Sequence, residues 1–508
     1  MKEIAAPNMV LAISLALLVY IGFILFFVIR GALNTRSMND YALGSLHFSP
    51  SFLGLSLAAS MSSAATFIIN PGFVAYYGIS GFLSMAVFLP IGTLTSLAIL
   101  SKRFRMFGQN VKAKTISQWI GVRYQNQFFT RYFAFLSLLM IAFIVMICVG
   151  LTQVLSRSLN LEIFPTLLGV VGFTFTYMMF GGANSMVYTN TVQAMLKIAV
   201  TIILLTSGYH YFENGVSGFL QKLTAIDSSL AKPFNTTSPM FRDFFEVVIC
   251  QIVVGVAIVC QPHIITRSLL LKNDKDVNKF LTTAIVVQAL FFLVIFSGLY
   301  ARLYFPDLQI NGKPIALDAV MSSFVVKRFS VYVAIILVLG MISAGMATLE
   351  GLIQSLSTTF TSDIIAPITK GSIFKSDTNP HGILSELTIN RIVIVAMALI
   401  TIVLSYQQLN KPDLSVGIFA QNGVYAYFCG AFVPVLFGIF FKKVATVSVI
   451  VASITAVVVH FTIYYARLTP YMESGTRNPA IAAAIAILSS LVVGLLVHFF
   501  YEPKKIAN

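Results

Sequence analysis

The sequence predicts an all-α membrane protein with about thirteen transmembrane helices, and three observations carry that prediction. The 508 residues are 57% hydrophobic and only 10% charged, whereas a soluble domain carries roughly a quarter charged residues. Uncharged runs such as Met9 to Ile29 match the ~20 residues a helix needs to cross hydrocarbon, and such runs recur to the end of the chain. Strands of a membrane barrel would alternate apolar and polar over about ten residues, and no such alternation is present.

Taken in order, spans are expected near 9–29, 50–79, 80–100, 131–155, 163–180, 186–209, 244–264, 280–304, 329–364, 387–406, 414–440, 444–466 and 479–500. The first run lacks the short core and small-residue cleavage site of a signal peptide, so it is read as a retained helix. Thirteen crossings place the termini on opposite sides. One side then collects Arg30, Arg36, Lys102, Arg103, Arg105, Lys112, Lys114, Arg123 and Arg131. The same side holds Arg267, Lys272, Lys275, Lys279, Lys370, Lys375, Arg391, Lys442, Lys443, Lys504 and Lys505. Because cytoplasmic loops concentrate Lys and Arg, the N-terminus is expected outside and the C-terminus in the cytoplasm. The expected location is the plasma membrane, a bacterial inner membrane. The net charge of +15 is thereby explained by topology, and no nucleic-acid partner is expected. Cys148, Cys250, Cys260 and Cys429 lie in or beside apolar runs and read as small buried hydrophobes.

Two spans are interrupted. Asn70-Pro71-Gly72 should break or unwind the second, and Gln261-Pro262-His263 should end helical bonding in the seventh. The breaks fall at corresponding positions of two putative sets, residues 50–209 and 244–440. Matched discontinuous helices point to an inverted-repeat transporter with a site near the midplane. Thr66, Phe67, Asn70, Gln261 and His263 lie at these breaks, where freed amides and carbonyls can hold a polar solute.

The motifs are similar to those of the sodium/solute symporter family. Gly181-Gly182-Ala183-Asn184-Ser185-Met186-Val187-Tyr188-Thr189-Asn190-Thr191-Val192-Gln193 resembles its GG…YTD…Q signature. Ala59-Ser60-Met61-Ser62-Ser63-Ala64-Ala65-Thr66-Phe67 looks like its broken first core helix, and Gln261-Pro262-His263 with Arg267 like the QPH…R segment of proline-type members. Ser343 to Asp363 resembles the eighth core helix. The segments occur in family order, with proline-, pantothenate- and choline-type relatives in view. The resemblance implies a LeuT-like fold of two inverted five-helix repeats with flanking helices, and sodium-driven uptake of a small solute by alternating access. By position it assigns sodium to the carbonyls of Ala59, Ser62 and Ala344 and the hydroxyl of Thr348. No organic cofactor is implied, and a monomer would suffice.

The departures from the family pattern matter. Ala347 stands where many members carry a serine hydroxyl, and Asn190 replaces the acid of the YTD motif. Glu350 lies two residues past Thr348, deep in an apolar span, and an ionised carboxylate in hydrocarbon costs several kcal/mol unless it faces the bundle. Lys197 follows Asn190 by seven residues, two turns along one helix face. It is expected to neutralise Glu350, to hold a substrate carboxylate, or to occupy a cation site in place of sodium. A proton-coupled or sodium-independent transporter using Glu350 and Lys197 is the alternative expectation.

The chain is therefore expected to be a single transporter domain. An N-terminal extra helix and loop (1–49) precedes the first repeat (50–209), an extracellular loop (210–243), the second repeat (244–440) and C-terminal helices (441–508). The solute is expected to be small and polar, zwitterionic or an organic acid. No metal-ligand cluster, nucleophile motif or phosphate loop suggests an enzyme. A transporter-like sensor would usually append a soluble signalling domain, and the chain stops soon after the last span.

Overall fold

The computed structural model describes residues 5–111, 113–271, 273–369, 384–410, 415–473, 476–501 and 504–505. Lys112, Lys272, Lys370 and Lys375, expected in the cytoplasmic loops, lie outside the described residues. The main helices are numbered in chain order. Those of the first half are α1 Pro7–Leu33, α2 Pro50–Met61, α3 Ala65–Tyr77, α4 Ile79–Phe107, α5 Gln127–Leu159 and α6 Ile163–Thr206. There follow α7 Phe245–Ile258, α8 Pro262–Leu270, α9 Asp274–Tyr304 and α10 Val331–Ile368. The last four are α11 Glu386–Asn410, α12 Val416–Phe440, α13 Thr446–Ala466 and α14 Pro479–Phe500. Ten helices among the described residues are long and apolar enough to cross a membrane, or up to twelve if each bent pair is one span. The chain is an all-α membrane protein.

Side-chain placement follows from what each helix faces. On α1, Met9, Ile13, Tyr20, Ile24 and Val28 are buried along one stripe, while Leu11, Leu15, Leu18, Val19, Phe23 and Phe26 are exposed. A surface that apolar suits lipid and would be unstable in water. By contrast α12 is buried on nearly every side and forms part of the bundle interior.

The helix α6 contains 44 residues, about 66 Å at 1.5 Å per residue and over twice a bilayer's hydrocarbon thickness. It is divided at Gly182, whose φ of 57° and ψ of −157° are not helical. A β-carbon there would stand 2.7 Å from the Tyr41 ring, so a glycine is needed both for the turn and for the approach. The predicted spans 163–180 and 186–209 are the two sides of this division. The expected thirteen crossings are reached only by counting those sides separately.

The first helix break lies within the Ala59–Phe67 segment that the resemblance reads as broken, not at Asn70-Pro71-Gly72. Asn70-Pro71-Gly72 continues α3 without interruption, and the chain opens instead at Ser62 (φ −89°, ψ 93°), where α2 and α3 meet at 56°. A π-helical turn over Ala65–Ile69 precedes Pro71 and absorbs the register change that its missing N–H would otherwise force. The second break is where the sequence placed it. Gln261 is extended (φ −66°, ψ 139°), Pro262 starts α8, and α7 and α8 meet at 58°. The loop 210–243 contains a helix of its own, Gly215–Ile226, and it packs down on the bundle through the Leu230 carbonyl, which accepts from Ile79 N–H at 2.8 Å.

Candidate functional site

Where α2 ends, its last carbonyls lose their helical partners and turn toward α6. Lys197, on the second half of α6, fills that opening. Its Nζ donates to the carbonyls of Ala59 at 2.6 Å and Ser62 at 2.7 Å, and lies 3.3 Å from Ser62 Oγ. An ammonium has three donors, and three oxygens receive them. The Phe67 and Phe291 rings stand 5.9 and 5.8 Å from the same nitrogen, close enough for a weak cation–π contribution. Thr348 reaches the same break from α10, and its hydroxyl donates to the Ser60 carbonyl at 2.7 Å. Two of the four positions assigned to sodium by resemblance, Ala59 and Ser62, thus present their carbonyls to Lys197. Ala344 and Thr348 are buried on α10.

Glu350 is fully buried, two residues past Thr348 on α10, roughly half a turn on. Its carboxylate accepts from Tyr177 Oη at 2.6 Å, Thr189 Oγ1 at 2.6 Å and Gln193 Nε2 at 3.2 Å. In the orientation that satisfies its neighbours, the Asn190 amide nitrogen lies 3.0 Å from Gln193 Oε1 and 3.2 Å from Glu350, and its oxygen accepts from Arg267 at 3.3 Å. Asn190 is therefore a buried residue in the interior of α6. Glu350 from α10 thus brings a carboxylate to the side of position 190. Of the three uses expected for Lys197, direct pairing with Glu350 is not formed: no ion pair within 4.0 Å joins them, since Lys197 is turned to the break and neutral donors satisfy Glu350.

Beside the two breaks lies a cavity of about 110 Å³. Thr66 and Asn70 from α3 line it together with Gln261 and His263 from the second break. Gln251, Gln288, Phe143, Gln421 and Tyr425 complete the relevant wall. Gln261 Oε1, His263 Nδ1 and both amide atoms of Gln288 are buried without a protein partner. Buried polar groups are nearly always hydrogen-bonded, so these atoms call for a polar guest or water. The Phe143 ring packs on His263 with centroids 6.0 Å apart and fixes its plane.

Four of the six residues expected to bind solute, Thr66, Asn70, Gln261 and His263, share this cavity. Phe67 and Lys197 do not: Phe67 packs on Phe291 at 5.7 Å between centroids, and Lys197 is held at the break. Sequence reasoning missed Gln288, whose only signal was a lone amide in an apolar run. It counted Arg267 among the cytoplasmic-side charges, yet that guanidinium is buried and donates to Ser56 and Ser60 of α2, both at 3.3 Å. Glu350 is not alone as a buried carboxylate. Glu246, at the start of α7, is fully buried and forms an ion pair with Arg242 at 2.6 Å. Asp363 accepts from Thr115 Oγ1 and Gln118 Nε2, both at 2.6 Å, which joins α10's far end to the helix Ile116–Arg123.

Two bent helix pairs converging on a polar cavity inside a lipid-faced bundle define a secondary transporter. The model of the sodium:solute symporter family matches residues 41–469, and the chain belongs to that family. It is 26% identical over 467 residues to the sodium/pantothenate symporter of Escherichia coli (strain K12), covering 90% of each chain. It is 24% identical to a monocarboxylic acid transporter of Corynebacterium glutamicum, covering 85% of this chain and 79% of that one. Its fold is similar to the outward-open, substrate-bound structure of a Na+-coupled sialic acid symporter, with a TM-score of 0.77 at 17% identity over 98% and 99% of the two chains. The chain is a solute symporter of this family, a transporter and not an enzyme.

Proposed function

We propose that the chain imports a small polar, zwitterionic or organic-acid solute through the cavity at the two helix breaks, by alternating access across a bacterial inner membrane. The observation that carries this is the set of unpartnered buried atoms on Gln261, His263 and Gln288 facing one cavity beside both breaks. Pantothenate and monocarboxylic acids, in the names of the relatives, support a carboxylate-bearing solute. No lysine or arginine lines the cavity among the described residues, so its own recognition is by amide, imidazole and hydroxyl groups. The names of the family and of the pantothenate relative support a sodium gradient as the driving force. Residues 50–209 and 244–440 are assigned as the repeats that move against each other, with the N-terminus outside.

The cavity is smaller than the ~300–1,000 Å³ of ordinary ligand pockets, so a solute enters only when the walls part. A thermal-unfolding screen of purified protein against carboxylates, amino acids and sugars identifies the solute, since a ligand stabilises the state it binds. At a hundredfold excess over Kd the stabilisation is about 2.7 kcal/mol. Gln261→Ala should remove most of that shift without lowering the unliganded midpoint, because the Gln261 side-chain oxygen has no protein partner to lose. A midpoint raised equally in the variant would place the solute elsewhere.

A further inference from the structure

We propose that the cation held at the Ser62 break is the ammonium of Lys197, and that sodium is excluded from this site while the lysine occupies it. The inference rests on the transporter assignment and concerns only which cation sits between α2 and α6. Sodium needs a shell of oxygens to replace its water, and those available here fit an ammonium better. The Ala59 and Ser62 carbonyls and the Ser62 hydroxyl match an ammonium's three donors one for one, at 2.6, 2.7 and 3.3 Å. Both carbonyl contacts have the length of short charge-assisted hydrogen bonds. On the α10 side the supply of oxygens is poor. Thr348, whose proton goes to the Ser60 carbonyl, offers one hydroxyl oxygen, and the neighbouring buried Ala347 carries none on its side chain.

Lys197 has no other visible employment. It is fully buried, makes no ion pair within 4.0 Å among the described residues, does not line the cavity, and gives its hydrogen bonds to the break, beside two phenylalanine rings. A buried ammonium without a carboxylate is costly, and the oxygens freed by the unwound end of α2 are what offset that cost. The tether also has a structural consequence. It joins the end of α2 to α6 directly, as a bound ion would, but cannot dissociate into solvent.

The test is binding of radioactive sodium to purified protein in nanodiscs, with choline as the control salt. Lys197→Met removes the ammonium and leaves its oxygens facing an uncharged side chain. The expected result is that the folded variant binds one more sodium ion per chain than the parent, and that sodium but not choline raises its unfolding midpoint. A folded variant binding no more sodium than the parent overturns the proposal. Should Lys197→Met not fold in either salt, Ser62→Ala decides, since it removes one oxygen and keeps the lysine. The proposal requires the parent's sodium binding, whatever its level, to be unchanged by Ser62→Ala, and a loss of bound sodium overturns it. Neither adverse result touches the transporter assignment, which stands on solute binding in the cavity.

Discussion

Glu350→Gln is expected to abolish gradient-driven accumulation of the solute while solute binding and exchange persist. Glu350 lies outside the cavity wall, so the solute's contacts survive the change. What changes is the charge at the meeting point of α10 and α6. As a carboxylate, Glu350 accepts from Tyr177, Thr189 and Gln193 at once, and through Asn190 it is linked to Arg267 on α8. Hydrogen bonds to a charged group contribute about 1.5–3 kcal/mol each, against about 1 for neutral ones. Neutralising Glu350 therefore weakens three bonds that hold one helix of each proposed repeat in register. A loss of accumulation of about tenfold or more, equivalent to 1.4 kcal/mol or above, is expected in proteoliposomes. The solute-induced rise in unfolding midpoint should remain. Accumulation at the parent's level would show that Glu350 is a structural acid only.

The largest loss of stability is expected for Glu246→Ala. This carboxylate is buried at the start of α7 and accepts from the Arg242 backbone N–H and Nε at 2.9 Å, Arg242 Nη2 at 2.6 Å and Asn478 Nδ2 at 3.2 Å. Asn478 in turn caps α14 by accepting from Ala480 N–H at 3.0 Å. One side chain thus ties α7, the turn before it and α14 together. Removing one partner of a buried ion pair costs about 3–5 kcal/mol, because the other charge is stranded. The Arg242 side chain is 21% exposed and stays partly hydrated, so the lower end applies. Thermal unfolding in detergent measures the effect, and Glu246→Gln should lose less, since an amide can still accept. Equal midpoints for parent and Glu246→Ala would show that the pair contributes nothing net.

Much of the fold was legible because run length and charge are read directly from the sequence. The spans at 280–304 and 329–364 needed no structural knowledge to place, and helices Asp274–Tyr304 and Val331–Ile368 contain nearly all of them. The break at Gln261 was legible too, since Pro262 fits only at a helix start there. Its counterpart was contained in the Ala59–Phe67 resemblance but misplaced by the Asn70-Pro71-Gly72 reading, because Pro71 can be accommodated by a π turn and no local signal announces one. That misplacement carried into the site. Successive residues on a helix point about 100° apart, and a break resets the phase. With the opening at Ser62, Thr66 faces the cavity and Phe67 faces Phe291, which spacing alone could not decide. Lys197 was recognised as an exceptional charge, but three uses for it stayed open. Only the directions of the Ala59 and Ser62 carbonyls distinguish them, and carbonyl direction is a property of the broken backbone rather than of residue type.

Accessibility of Thr66 from the two membrane faces tests the transport cycle most directly. The four native cysteines are buried, and replacing them gives a background in which Thr66→Cys is the sole thiol. A membrane-impermeant thiol reagent applied to right-side-out and to inside-out vesicles then reports which face reaches the cavity. Alternating access predicts modification from both faces, slowed in each case by the solute that stabilises the protein. Modification from one face alone, or from neither, would contradict it.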